Sequence, residues 1–245
     1  MLIEFQNVSK RYDDGTLAVE NLSLTVRKGE IFVLIGPSGC GKTTTMKMVN
    51  RLIDHTDGKI LIDEREIYHF DIYELRRNIG YVLQQIALFP HLTVEENISV
   101  VPDLLKWPKT KTKDRVTELM KIAGLDPVLR SKKPPELSGG QQQRVGVLRA
   151  LAADPEVILM DEPFSALDPI SRAQLQDDIK RLNDELGKTI LFVTHDIEEA
   201  MKLGDRIALM RDGKLVVVGT PDEIRASDDP FVLDFTQRGR GEADA

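Results

Sequence analysis

Ile31-Phe32-Val33-Leu34-Ile35-Gly36-Pro37-Ser38-Gly39-Cys40-Gly41-Lys42-Thr43-Thr44 decides the fold of this 245-residue chain. Five consecutive apolar residues, with no polar alternation, read as a central strand covered by helices on both faces. The glycine-rich turn after it fits the pattern G-x-x-x-x-G-K-[ST], and the chain from Lys42 onward reads as a helix. A loop in that context is built to hold two phosphates. The glycines let backbone N–H groups turn inward and the helix N-terminus adds a favourable field, while Lys42 bridges phosphate oxygens and the Thr43 hydroxyl can ligate Mg²⁺. Without the strand and the helix the same run would be a turn with an incidental lysine; here all three agree.

Similar apolar runs recur at 79–83, 157–160, 190–193 and 207–210, separated by helical patterns, which predicts an α/β fold with a mostly parallel sheet. Upstream, Leu22, Leu24 and Val26 alternate with Ser23, Thr25 and Arg27, so residues 2–28 read as an antiparallel β element. The clearest helix is 169–186, where Leu175, Ile179, Leu182 and Leu186 share one face and Gly187 stops it. Residues 86–155 carry helical signals, at 114–123 and 141–152, with breakers at Pro134-Pro135 and Asp154-Pro155. They are expected to form a helical subdomain inserted into a core of 1–85 and 156–225. Together 1–235 make one nucleotide-binding domain, and 236–245, without large apolar side chains, reads as a flexible tail.

Composition excludes several classes. Hydrophobic residues are 41% of the chain, enough for a core, but no apolar run approaches the roughly 18 residues of a membrane span. The single cysteine, Cys40, cannot make an internal disulfide or a cysteine-based metal site. The N-terminus lacks a basic stretch followed by an apolar core and a cleavage site, so the chain is expected to stay in the cytosol. Lysine and arginine number 33 against 40 aspartate and glutamate, and a net charge of −7 argues against a broad nucleic-acid face.

Three further stretches carry chemistry. Asp161 and Glu162 end the buried run 157–160, at the strand edge where a phosphate loop needs a Mg²⁺ partner; beside that aspartate, Glu162 can orient and deprotonate an attacking water. His195 ends the run 190–193 on the same expected edge, where an imidazole either bonds a γ-phosphate or is merely structural. The stretch Leu137-Ser138-Gly139-Gly140-Gln141-Gln142-Gln143-Arg144 puts a capping serine and two glycines at a helix start, a second phosphate-binding terminus without a lysine. One nucleotide touching two such sites implies a head-to-tail pair of copies with the nucleotide between them.

With these motifs in order, the chain resembles an ATP-binding-cassette (ABC) ATPase subunit from its first residue to about Gly219. The resemblance implies that Tyr12 stacks on adenine, that residues 36–44 are the Walker A motif, and that Gln84 is the Q-loop residue joining Thr43 and Asp161 at Mg²⁺. It implies that 137–141 are the signature, with Ser138, Gly139, Gly140 and Gln141 engaging ATP from the other copy. Residues 157–162 become the Walker B motif with Glu162 catalytic, 165–168 the D-loop, and His195 the switch histidine. Segments 81–97, 194–201 and 219–224 are similar to importer ATPases for osmoprotectants such as glycine betaine, carnitine and choline. The implied partners are a second ATPase subunit, as a homodimer, transmembrane permease subunits and an extracytoplasmic substrate-binding protein or domain, at the cytoplasmic face of the membrane. No nucleic acid is implied. Many members of that group carry a pair of C-terminal regulatory modules; the sequence ends soon after Ile224, so regulation through them is expected to be absent. The alternatives are an importer ATPase for another small solute, or a soluble ABC ATPase outside transport. Cys40 fills a variable loop position and reads as a small tolerated side chain there; the alternative is a thiol through which a reagent could block the nucleotide site.

Overall fold

The computed structural model describes residues 2–85 and 87–241, with side chains described up to residue 237. The chain forms two compact units, Met1–Leu75 with Thr189–Ala245, and Arg76–Lys188. This division falls elsewhere than the expected lobe boundaries at 85/86 and 155/156, because strands and a helix of the expected core group with the inserted helices.

The first unit opens with β1 (Ile3–Arg11) and β2 (Leu17–Val26), paired antiparallel as expected, with Leu22, Leu24 and Val26 all buried. After β3 (Ile31–Ile35) and α1 (Lys42–Val49), the antiparallel element continues beyond residues 2–28: β4 (Asp57–Ile62) pairs with β1, and the short β5 (Arg65–Glu66) with β4. Through α2 (Ile72–Arg77) the chain enters the second unit. There β6 (Ile79–Val82) precedes α3 (Val94–Leu104), α4 (Lys109–Ile122) and α5 (Gly139–Leu151), and β7 (Val157–Asp161) precedes α6 (Pro169–Leu186). Helix α6 has the predicted bounds, with Gly187 left-handed at its end. The chain returns to the first unit with β8 (Thr189–Val193), α7 (Ile197–Leu203), β9 (Arg206–Arg211), β10 (Lys214–Gly219), α8 (Pro221–Arg225) and α9 (Pro230–Gly241). The last helix runs on through residues read from the sequence as tail; 242–245 lie outside the described residues.

Parallel pairing dominates the core strands. In the first unit β3 lies between β8 and β9 and runs parallel to both, while β10 closes on β9 antiparallel. In the second, β6 and β7 are parallel. All five residues of β3, β7 and β8 are buried, the double-sided cover their composition predicts. The start of β3 is pinned by polar groups: the Ile31 N–H donates to Asp205 Oδ2 at 2.8 Å, and the Gly29 N–H to Thr189 Oγ1 at 2.8 Å. Buried Glu30 pairs with Arg206 at 3.2 Å. In the second unit the single tryptophan, Trp107, sits between α3 and α4 with the Lys111 ammonium 3.7 Å from its ring centroid.

Candidate functional site

In the first unit the phosphate loop leaves the carboxyl end of β3 and enters α1 without any side-chain cap and without an acidic residue in the first turn. Uncovered N–H groups and a positive dipole end are thus left at the helix start. Gly41 makes the entry possible: its φ is +101°, and a Cβ there would lie 2.3 Å from the Ala18 carbonyl oxygen. Lys42 is buried, and its ammonium donates to the Gly36 carbonyl at 2.8 Å and the Pro37 carbonyl at 3.0 Å. A cation held on main-chain carbonyls of its own loop is poised to exchange them for phosphate oxygens. Pro37, Ser38 and Gly39 are exposed at the crest, with Thr43 and Thr44 half-buried behind it. Cys40 is 4% exposed, its Sγ 3.9 Å from the Lys42 ammonium, and burial pushes its thiol up despite that charge. Cys40 is thus the small packed side chain expected at that loop position, and its burial closes it to the thiol reagents that the sequence alone left as an option.

Two more expected residues join the loop within this unit. The Tyr12 hydroxyl lies 3.3 Å from Thr44 Oγ1, so the aromatic ring, partly exposed, is tethered to the first turn of α1. His195 follows β8, which runs beside β3 with Val193 opposite Leu34, and the Thr194 N–H donates to the Leu34 carbonyl at 3.2 Å. The histidine and the phosphate loop therefore leave adjacent strand ends in the same direction. Both neighbours of His195 are fixed. Buried Thr194 donates its hydroxyl to buried Glu199 at 2.6 Å, and Asp196 caps α7 through the N–H groups of Glu198 and Glu199. His195 itself is exposed.

In the second unit β6 and β7 likewise send Gln84 and the Asp161-Glu162 pair from one edge, with Val82 opposite Met160. Asp161 is 5% exposed; Glu162 is half-buried. The Gln84 side-chain amide donates to Glu162 Oε2 at 3.3 Å, so the residue expected at the metal bonds the Glu162 carboxylate in this structure. Glu162 has a left-handed backbone, φ +43°, uncommon for a residue with a side chain. The turn after it holds it there, with the Ser165 N–H and hydroxyl both donating to the Glu162 carbonyl. Sequence reading gave Tyr81 no role, yet burial, and next the charge of Asp161, push its phenol well above the ordinary value. Its place one residue before the end of β6's register with β7 was the available signal. Ser138 caps α5 as expected: its hydroxyl accepts from the Gln141 N–H at 3.3 Å, and the Gln141 side chain accepts from the Ser138 N–H at 2.9 Å. Gly139 is open on its side-chain face.

Each unit carries donors of the kinds a magnesium polyphosphate takes. In the first unit Lys42 and the uncapped start of α1 match phosphate oxygens and Thr43 is a hard oxygen donor; in the second Asp161 is another, of the kind Mg²⁺ takes in ones and twos beside phosphate. Among the described residues no group of three or more His, Cys, Asp or Glu could hold a metal by itself. No helix among them is long and apolar enough to cross a membrane.

Comparison with known proteins agrees with this arrangement. The ABC transporter family matches residues 19–165. The chain is 57% identical over 240 residues to the choline transport ATP-binding protein OpuBA of Bacillus subtilis, and 56% identical over 240 residues to the glycine betaine/carnitine/choline transport ATP-binding protein OpuCA of the same organism. Each alignment covers 98% of this chain, and the chain spans 63% of the length of each relative. Among solved structures it is similar to the ATP-binding cassette MJ0796, a dimer in a post-hydrolysis state bound to ADP and Pi, with TM-score 0.79 and 36% identity over 90% of this chain and 99% of that one. A family match over more than half the sequence, laid on a phosphate loop, a capped signature helix and a strand-end carboxylate pair, means that the chain belongs to the ABC transporter family.

Proposed function

We propose that this chain is the ATP-hydrolysing subunit of an ABC importer that energises uptake of a quaternary-amine osmoprotectant such as glycine betaine, carnitine or choline. The observation that carries the catalytic part is the buried Lys42 ammonium, held on the Gly36 and Pro37 carbonyls beside an uncapped helix start. The cargo rests on the two relatives, whose names give those solutes.

In this reading Tyr12 stacks on the adenine and residues 36–44 wrap the phosphates, with Lys42 exchanging its carbonyl partners for β- and γ-oxygens. Bound Mg²⁺ would neutralise charge developing between those phosphates. Thr43, Asp161 and Gln84 would hold it. Glu162 orients the attacking water and accepts its proton, and His195 donates to the γ-phosphate. Ser138, Gly139, Gly140 and Gln141 of a second copy close over the same nucleotide, so the working form is a homodimer. It docks on transmembrane permease subunits at the cytoplasmic face of the membrane, with an extracytoplasmic binding protein or domain delivering the solute.

Two measurements test the two halves. Glu162→Gln should bind ATP with little change and lose hydrolysis by roughly 100-fold or more, the scale of removing a general base; unchanged turnover rejects the assignment. Cells dependent on this chain should lose uptake of labelled glycine betaine, carnitine and choline, with or without osmotic upshift, when it carries Lys42→Ala. Retained uptake, with hydrolysis confirmed on the purified protein, would keep the ATPase and discard the cargo.

A further inference from the structure

Ser171, in the first turn of α6, joins two motifs that lie far apart in the chain. Its N–H donates to Asp168, the last residue of the D-loop, at 3.0 Å. Its side chain meets Gly140 of the signature so closely that a Cβ on that glycine would lie 3.0 Å from Ser171 Cβ and Oγ. One turn further along α5, on the same face, Arg144 reaches Asp178, two turns beyond Ser171 on α6. The Arg144 Nε lies 2.8 Å from Asp178 Oδ2, with the two side chains 13% and 7% exposed. Arg181 also reaches the Asp178 carboxylate. Burial pushes the Asp178 carboxyl up, and the two guanidiniums work against it. A carboxylate kept in so dry a place without a part in hydrolysis points to geometry: buried ion pairs contribute little net stability, and in some proteins they instead fix which surfaces meet.

We propose that Arg144 and Asp178 are positioning residues that clamp α5 to α6, so that the signature turn at 138–141 and the D-loop at 165–168 are presented to a second copy as one surface. This rests on the ATP-driven pairing proposed above and adds what sets its geometry. Neither residue touches nucleotide; each acts by holding the helix that starts with a motif. Loss of the clamp leaves the phosphate loop, in the first unit, able to bind ATP, and impairs only the closing of two copies.

The test uses the full chain carrying Glu162→Gln, with ATP-dependent dimerisation followed by light scattering, ATP affinity of the monomer by equilibrium binding, and thermal melting. Adding Asp178→Asn or Arg144→Met should raise the ATP concentration for half-maximal dimer by roughly tenfold or more, the scale of one lost contact to a charged group. Monomer affinity should stay within about twofold. Asp178→Glu, which keeps the charge but lengthens the arm, guards against a folding defect and should give an intermediate shift with melting near the parent's. Dimerisation at the parent's ATP concentration in folded variants overturns the proposal, as does an equal loss of monomer affinity, which would mark a merely structural role. A Glu162→Gln parent that binds ATP but never dimerises rejects the pairing itself, and is distinguishable because the variants then have no dimer to shift.

Discussion

His55 shows how one side chain sets a pH response away from the phosphate loop. Its Nε2 is buried without a hydrogen-bond partner, and its ring lies 5.0 Å from that of Tyr68. Burial lowers its pKa from 6.5; Lys10 adds to the effect, while Glu66, Asp54 and Asp57 oppose it without cancelling it. The unfolded chain therefore takes up a proton first as pH falls, so this residue's contribution is fully present above about pH 6.5 and is lost as pH drops through the folded value. His55→Gln should flatten the fall in melting temperature between about pH 6.5 and 5, measured by calorimetry at matched ionic strength. Its burial cannot be read from the polar residues around it in the chain, because it depends on Tyr68 arriving from further along. Glu162 teaches the same lesson: its role follows from the carboxylate beside Asp161, but its left-handed backbone and its bond to Gln84 come from the Ser165 turn and from the edge shared by β6 and β7.

At the scale of elements, helix ends were the most readable features and short strands the least. Ser138 caps α5 where the sequence places it, Gly187 ends α6 because a left-handed residue is needed there, and Asp168 caps α6 at the helix start the sequence gives. Helix α3 went unread although Thr93-Val-Glu-Glu96 opens it with a reciprocal cap, the Glu96 N–H to Thr93 Oγ1 at 3.2 Å and the Thr93 N–H to Glu96 Oε2 at 2.7 Å. Its internal Pro102 masked the period. That cap holds the Glu96 carboxyl below its ordinary value, chiefly through the Thr93 N–H. Thr93→Ala should cost about 1 kcal/mol and lower the melting temperature by about 2–4 °C; a shift below half a degree would mean the helix is held by packing alone. Strand β4 escaped notice for a different reason: Asp57-Gly58-Lys59 are exposed, so only Ile60 of the strand is fully buried and its pairing with β1 leaves almost no alternation to read.

For the whole molecule, order of motifs was enough to reach the family, because a phosphate loop, a capped serine-glycine-glycine turn and a strand ending in two carboxylates each have a local physical reason. The compact division was not readable, since it depends on which helices pack on which strands. A ligand that binds only the folded form stabilises all of it by mass action, by about 2.7 kcal/mol at a hundredfold excess over its dissociation constant. Mg²⁺ with ATP should therefore raise the melting temperature of the wild-type chain by several degrees, and Lys42→Ala should abolish the rise; an equal rise in both would remove the lysine from binding. Trp107, beneath Lys111 in the second unit, gives the molecule a native optical reporter. Lys42 belongs to the first unit, and with only one indole in the chain a change in emission on adding nucleotide has a single source. Stopped-flow fluorescence could therefore time how fast an event at the loop is felt around the indole, without any dye attached.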